Sequence, residues 1–279
     1  MSDSDGSGPR VAFANPQVNL YAHDIEGSVR FYRDVLGFAE TFRVPREGVP
    51  DHVELHLGSF KLGLATFDSL SRDHGLRTGR GPPRGEVVLF TDNADRAYAW
   101  TTSRGAPSVN PPHDFRGRAN SAVADPDGNR VVFTGKHPAA ETAEASGRPV
   151  FTNHLVNLYT ASIDLSLRFY RGILGFKETF RTPKQGPPDH VEMELGSLNL
   201  AVSTLEALKL HHGLSGGGGP PRGEVVLWVT DVDAALAWLN SRNVPTLCPS
   251  HNFAGTLRGA WVVDPDGNPV QLVARSATH

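Results

Sequence analysis

Two glutamates, Glu86 and Glu224, stand at the head of identical segments, Glu-Val-Val-Leu, each preceded by Pro-Pro-Arg-Gly. A carboxylate leading into a strand can accept a ligand hydrogen bond or act as a general base, and burial would raise its pKa toward that task. The plainer reading is a rim residue satisfied by backbone amides or water, because an unpaired buried carboxylate is costly. Two further segments, DHVELHLG and DHVEMELG, place His52, Glu54 and His56, and then His190, Glu192 and Glu194, at alternate positions. Alternation in an extended chain puts each trio on one face, a donor set suited to a transition metal. Side chains on one strand face lie about 7 Å apart and seldom converge on one ion alone, so a solvated face is favoured. If the trios do face a ligand, His52 and His190 are the proton-transfer candidates, histidine being the side chain that exchanges protons near pH 7.

His113 and His251 recur in PPHDF and PSHNF beside Phe115 and Phe253. They read as loop residues that anchor structure, or else close over a ligand. The single cysteine, Cys248, reads as a buried thiol rather than a nucleophile.

These groups come in pairs because the chain repeats itself. VNLYAHDIEGSVRFYRDVLGFAETFR returns as VNLYTASIDLSLRFYRGILGFKETFR, and PDHVELHLGS, PPRGEVVLF and DPDGN each return in the same order. The 279 residues thus divide into domains at 11–137 and 150–276, joined by a Pro-, Ala- and Glu-rich linker at 138–149. Each domain divides again into two β-α-β-β-β units. Ser162 can cap a helix in which Leu165, Phe169, Tyr170, Ile173 and Leu174 form one apolar stripe, ended by Gly175 in the left-handed position; Asp24 and Gly37 do the same in the first copy. Gly-Ser in LGSF and LGSL suits a two-residue hairpin, and DPDGN suits another turn. The run Gly216–Gly219 lacks a leading strand and a following Lys-Ser/Thr, so it is a connector rather than a phosphate loop.

Four βαβββ units in this order, with the RFYRxxLGF helix end and the DPDGN hairpin, resemble the vicinal oxygen chelate superfamily of glyoxalase I, bleomycin-resistance proteins, fosfomycin-resistance enzymes and extradiol dioxygenases. The resemblance implies an α+β fold in which a pair of modules curls its mixed sheets into a cup, with helices outside. It also implies that metal-dependent relatives carry ligands on the first and fourth strands of each module. In those relatives the first-strand ligand lies fourteen residues before the Phe of Phe-Tyr, which lands here on Gln17 and Leu155. The remaining slots fall on Gly63 and Ala201, Glu86 and Glu224, and Val132 and Gln271. Grouped by repeat, Gln17 joins Glu86 and Glu224 joins Gln271. Neither pair supplies the three donors that a first-row metal usually needs, so a cup without metal is favoured.

The same parity points Asn19, Tyr21, Asn157 and Tyr159 into the cups, with Val18, Leu20, Val156 and Leu158 toward the helices. Val88 and Phe90, like Val226 and Trp228, continue the cup face from the two glutamates as an apolar, partly aromatic wall. Arg118 and Arg258 belong near the mouths, and Trp261 shares a strand face with Val263. His154, which stands where the first copy has Pro16, falls on the helix side unless a β-bulge shifts the strand. With such a bulge, His154, Glu224 and Gln271 would hold a divalent Zn, Ni, Mn or Fe ion.

A net charge of −3 with interspersed signs gives no footprint for nucleic acid or an anionic membrane. The N-terminal MSDSDGSGPR lacks the features of a signal peptide, no apolar run is long enough to cross a bilayer, and the expected compartment is the cytoplasm. No nucleophile elbow or dinucleotide fingerprint occurs. The expected function is binding or sequestration of a small aromatic or drug-like molecule, as in bleomycin-resistance proteins. The alternative is a metal-dependent lyase, isomerase or ring-cleaving dioxygenase, in which a metal polarises substrate oxygens while a carboxylate moves a proton. One copy serving only as structural partner is the third expectation, with the chain either a monomeric pseudo-dimer or a homodimer.

Overall fold

The structure, a computed structural model, describes residues 11–77, 79, 81–136 and 148–276. The polar N-terminus and nearly all of the expected linker lie outside them. Module 1 contains β1 (Ala14–Ala22), α1 (Ile25–Arg30), β2 (Ala39–Val44), β3 (His52–Leu57), β4 (Phe60–Thr66) and α2 (Phe67–His74). Module 2 contains β5 (Gly85–Thr91), α3 (Ala94–Thr102), β6 (Ser108–Phe115), β7 (Arg118–Ala124) and β8 (Arg130–Gly135). Module 3 repeats the first as β9 (Phe151–Thr160), α4 (Ile163–Leu167), β10 (Lys177–Thr182), β11 (His190–Leu195), β12 (Leu198–Thr204) and α5 (Leu205–His212). Module 4 repeats the second as β13 (Gly223–Trp228), α6 (Val232–Asn240), β14 (Thr246–Phe253), β15 (Leu257–Val263) and β16 (Pro269–Arg275). The β-α-β-β-β pattern is present four times. The helices α2 and α5 are additions that the strand pattern did not announce.

Asp24 and Ser162 cap their helices as expected, accepting from the amides of Gly27 at 2.8 Å and Leu165 at 3.4 Å. Past one turn each helix widens into a π-helical segment, Phe31–Val35 and Arg168–Ile173, before Gly37 and Gly175 end it at φ of 88° and 83°. The wide turn changes which residues face inward. Leu165, placed on the apolar stripe by a regular helical period, is instead 48% exposed, while Ile163 and Leu167 are buried with Phe169, Tyr170 and Leu174.

Turning both Phe and Tyr inward lets the tyrosine reach the DPDGN hairpin of the same repeat. Tyr32 donates to Asp125 Oδ2 at 3.1 Å and Tyr170 to Asp264 Oδ2 at 2.8 Å. The other oxygen of each aspartate accepts two backbone amides of its own turn, Asp127 and Asn129 or Asp266 and Asn268. Burial pushes the Asp125 carboxyl up to about 6. The two most conspicuous motifs are therefore halves of one clamp, which ties the two modules of a repeat together through their helix side.

The strands pair differently. One eight-stranded sheet runs β14-β15-β16-β13-β1-β4-β3-β2 and the other β10-β11-β12-β9-β5-β8-β7-β6. Module 1 joins module 4 through antiparallel β1 and β13, with Asn19 opposite Glu224; module 2 joins module 3 through β5 and β9, with Asn157 opposite Glu86. The expectation of one cup per repeat is thereby corrected: each cup takes one module from each repeat. The physical reason lies in the two faces of the modules. Within a repeat the convex, helix-bearing faces share one apolar core, which includes Val18, Val29, Tyr32, Leu89 and Phe133. The free edges of the first strands are then completed by the other copy. The terminal cup is made by modules 1 and 4, the central cup by modules 2 and 3.

Candidate ligand-binding site

Alternation along the strands decides what each cup sees. Val156 and Leu158 pack into the helix-side core, while Leu155, Asn157 and Tyr159 turn to the concave face of the central cup. That cup encloses a cavity of ≈580 Å³. Its floor is apolar: Val88 and Phe90 from β5, Ala122 from β7, Val132 from β8 and Leu155 from β9. Glu86, Asn157, Tyr159, Ser203, His190 and Glu192 form a polar side.

Glu86 is held from three directions. Asn157 Nδ2 donates to Oε1 at 3.0 Å, Tyr159 donates to Oε2 at 2.5 Å, and the guanidinium of buried Arg130 lies 3.9 Å away. Arg130 also donates to the Tyr159 hydroxyl at 2.6 Å, so the phenol passes its own proton toward the carboxylate. Burial, then the charge of Glu86, holds the Tyr159 pKa well above the usual phenol range. Beyond Asn157 the polar chain continues: Ser203 Oγ donates to Asn157 Oδ1 at 2.8 Å and lies 2.7 Å from His190 Nδ1.

The mouth joins β6 to α5. His113 Nε2 and His212 Nδ1 are 3.3 Å apart, and burial lowers the His212 pKa. Arg116 crosses from module 2 to Thr182 at 2.7 Å and Asp189 at 3.0 Å in module 3. Arg118 lies 5.7 Å over the Phe90 ring and, among the described residues, pairs with no carboxylate. His113 and His251 lie within β6 and β14 rather than in loops; both strands carry register irregularities that admit their prolines.

The terminal cup has the same frame and is filled. Trp261, wholly buried, stands where the central cup has Ala122, packs with Tyr21, Phe67, Leu70 and Cys248, and donates from Nε1 to Glu224 Oε2 at 2.6 Å. Asn19 and Tyr21 supply two more donors to Glu224, at 2.8 and 2.9 Å. Burial raises the Glu224 pKa, and those three hydrogen bonds oppose the rise. His74 and His251 cover the mouth with imidazole nitrogens 2.9 Å apart, and the His74 ring centroid is 4.3 Å from that of Trp261. Gly63 is needed here: a Cβ would come within 1.9 Å of Asn19 Oδ1, which accepts from Gln17 Nε2 at 2.8 Å.

The candidates from the sequence are thus divided. Glu86, Phe90, Asn157, Tyr159, His190 and His113 line the central cavity. Gln17, Asn19, Tyr21, Glu224 and Gln271 are buried in the terminal cup, which corrects Tyr21 and Glu224 as wall and anchor of an open site. His52 is on the same sheet, 3.9 Å from Glu54. Trp228 is half-buried opposite Ala14, and Arg258 turns outward to Asp233 on α6, 2.7 Å away. Cys248 is buried, and burial raises its thiol pKa.

His154 settles the bulge alternative. It sits on the helix side, stacked on Phe60 with centroids 4.2 Å apart, in the sheet that lacks Glu224 and Gln271. The set His154, Glu224 and Gln271 therefore does not assemble. Nor do the relatives' metal slots fit a divalent cation. In the central cup they hold Leu155, Ala201, Glu86 and Val132, a single donor. In the terminal cup they hold Gln17, Gly63, Glu224 and Gln271, but both Glu224 oxygens already face N–H or O–H donors, an arrangement built for an anion.

Among the contributors that escaped the sequence reading are Ala122, Arg130, Ser203, Arg116 and the two histidines of α5, His211 and His212. Each is a position where the copies differ or where a helix was not expected. Pro269 stands in place of Arg130, Ala65 in place of Ser203 and Trp261 in place of Ala122. Comparing the copies position by position would have exposed the first three.

The profile of the Glyoxalase/Bleomycin resistance protein/Dioxygenase superfamily matches residues 15–133 and 152–272. No curated protein matches the sequence. Among solved structures, glyoxalase I from Zea mays is similar with a TM-score of 0.63 at 16% identity, over 93% of this chain and 92% of that one. A candidate dioxygenase from Bacillus subtilis is similar with a TM-score of 0.57 at 13% identity, over 95% of this chain and 86% of that one. At those identities the likeness is one of fold. The chain belongs to the Glyoxalase/Bleomycin resistance protein/Dioxygenase superfamily, as two tandem family segments whose cups are built across the repeat boundary.

Proposed function

We propose that the protein binds one small aromatic molecule in the central cup without a resident metal, and that the terminal cup is its structural counterpart. The observation that carries this reading is the exchange of Ala122 for Trp261 between equivalent places. The side chain that seals one cup is missing from the other, and the space left is ≈580 Å³, within the ordinary range for small-molecule sites. Val88, Val132, Leu155 and Phe90 suit a flat apolar body, while Glu86 at one end and Arg118 near the mouth suit polar groups. With a single donor in the relatives' metal slots, affinity for the ligand falls to shape, aromatic packing and these polar anchors.

Ala122→Trp tests this by giving the central cup the plug of the terminal one. A library of aromatic acids and drug-like aromatics is screened by thermal shift against the parent and the variant. Compounds that stabilise the parent should leave Ala122→Trp unmoved. Equal stabilisation of both would place the ligand elsewhere.

A further inference from the structure

We infer that the central cup contains a built proton acceptor: His190, fixed as its Nδ1–H tautomer by a hydrogen-bonded relay that starts at Glu86, with Nε2 a bare acceptor at the cavity wall beside the Glu192 carboxylate. The inference deepens the binding reading and rests on it only for what fills the cavity.

The relay follows from donor and acceptor chemistry. A carboxylate only accepts, so the atom that Asn157 presents to Glu86 is Nδ2, at 3.0 Å. That orientation turns Asn157 Oδ1 toward Ser203, and Oδ1 only accepts, so the serine hydroxyl donates to it at 2.8 Å. Having spent its single proton there, Ser203 Oγ can only accept from the imidazole nitrogen 2.7 Å away, and His190 Nδ1 must carry hydrogen. In a neutral imidazole the second nitrogen is then a bare acceptor. Here that nitrogen, Nε2, lies 3.3 Å from Glu192 Oε1.

Glu192 completes the device. Two acceptors facing each other at 3.3 Å repel while the ring is neutral, so the contact favours uptake of a proton at Nε2. Once Nε2 takes a proton from a ligand O–H or acidified C–H, the new N–H donates to Glu192 and the imidazolium is paired. The ligand keeps the electron pair of the broken bond, and return of the proton restores the site. The occupant this suits is an aromatic compound with an acidic hydroxyl or C–H group.

The terminal cup lacks the relay. Ala65 replaces Ser203, and Asn19 Oδ1 accepts from Gln17 instead. His52 is left with Glu54 at 3.9 Å. The relay is present in the cup that holds the cavity and missing from the one that is filled.

The test reads the tautomer directly in the apo protein, by two-bond ¹H–¹⁵N correlation of the histidine rings at about pH 8, above the ordinary histidine range. Signals of His190 are assigned by their loss in His190→Gln. The parent should show His190 as Nδ1–H. Ser203→Ala and Glu86→Gln should shift it to the Nε2–H form or a mixture, and Ser203→Thr should restore Nδ1–H. His52 should not respond to any of these changes. His190 as Nε2–H in the parent, or a tautomer indifferent to Ser203→Ala, would overturn the inference. The readout needs no ligand, so failure of the binding proposal leaves it standing, and its failure leaves the Ala122→Trp result to be judged alone.

Discussion

Ala122 and Trp261 occupy the same place in the two sheets, each opposite the fourth-strand residue of its own module, Val132 and Gln271. The indole reaches the Glu224 carboxylate and fills the terminal cup; the methyl group leaves Glu86 facing a cavity. Of two frames built alike, one encloses a cavity and the other is filled as core.

Removing the plug should therefore harm stability and spare binding. Trp261→Ala empties a wholly buried site and strips one donor from Glu224. It should cost about 3–5 kcal/mol by urea unfolding, while ligands of the central cup bind it as they bind the parent.

The two glutamates should respond differently to the same substitution. In Glu224→Gln an amide nitrogen must face N–H and O–H donors in a closed core, which should cost about 2–3 kcal/mol in chemical unfolding. Glu86→Gln borders a cavity where water can make up part of the loss, but it leaves buried Arg130 without this carboxylate, and should cost about 1–2 kcal/mol.

His154 should make the fold acid-sensitive. Burial against Phe60 lowers its pKa from 6.5 to about 4, and among the described residues Nε2 has no hydrogen-bond partner. Between those values the unfolded chain takes up a proton that the folded chain refuses. Stability is therefore full above about pH 6.5 and falls by about 1.4 kcal/mol per pH unit as the pH drops toward 4. His154→Leu should remove this component: between pH 6.5 and 5 the parent should lose about 2 kcal/mol more than the variant in urea titrations.

Arg118 should favour anionic ligands. Arg118→Gln should weaken an aromatic carboxylate or sulfonate about tenfold, as expected for a charge-assisted hydrogen bond, and leave the matching neutral compound within about twofold in calorimetric titration.

Much of the fold was legible because two periodicities were strong. The repeat gave the modules, and strand alternation put Asn19, Tyr21, Asn157 and Tyr159 on the cup faces and His154 on the helix face. What could not be read was which modules share a sheet. The first strands β1 and β5 carry similar apolar patterns, and nothing local says whether each completes its edge with its own repeat or the other. That single ambiguity misgrouped Gln17 with Glu86, whereas Glu224 and Gln271, both of module 4, do share a cup. Leu165 failed for a different reason, since a π-helical turn breaks the period on which the apolar stripe rests. The emptiness of one cup depends on bulk at Ala122, and a small apolar residue on a strand carries no signal by itself.

One open cup per chain sets the stoichiometry with which an aromatic anion binds. Titration of 1-anilinonaphthalene-8-sulfonate into the native protein, followed by fluorescence and calorimetry, should give one site per chain in the parent and in Glu224→Gln, and none in Ala122→Trp. Two equivalent sites per chain, or an undiminished site in Ala122→Trp, would contradict the account.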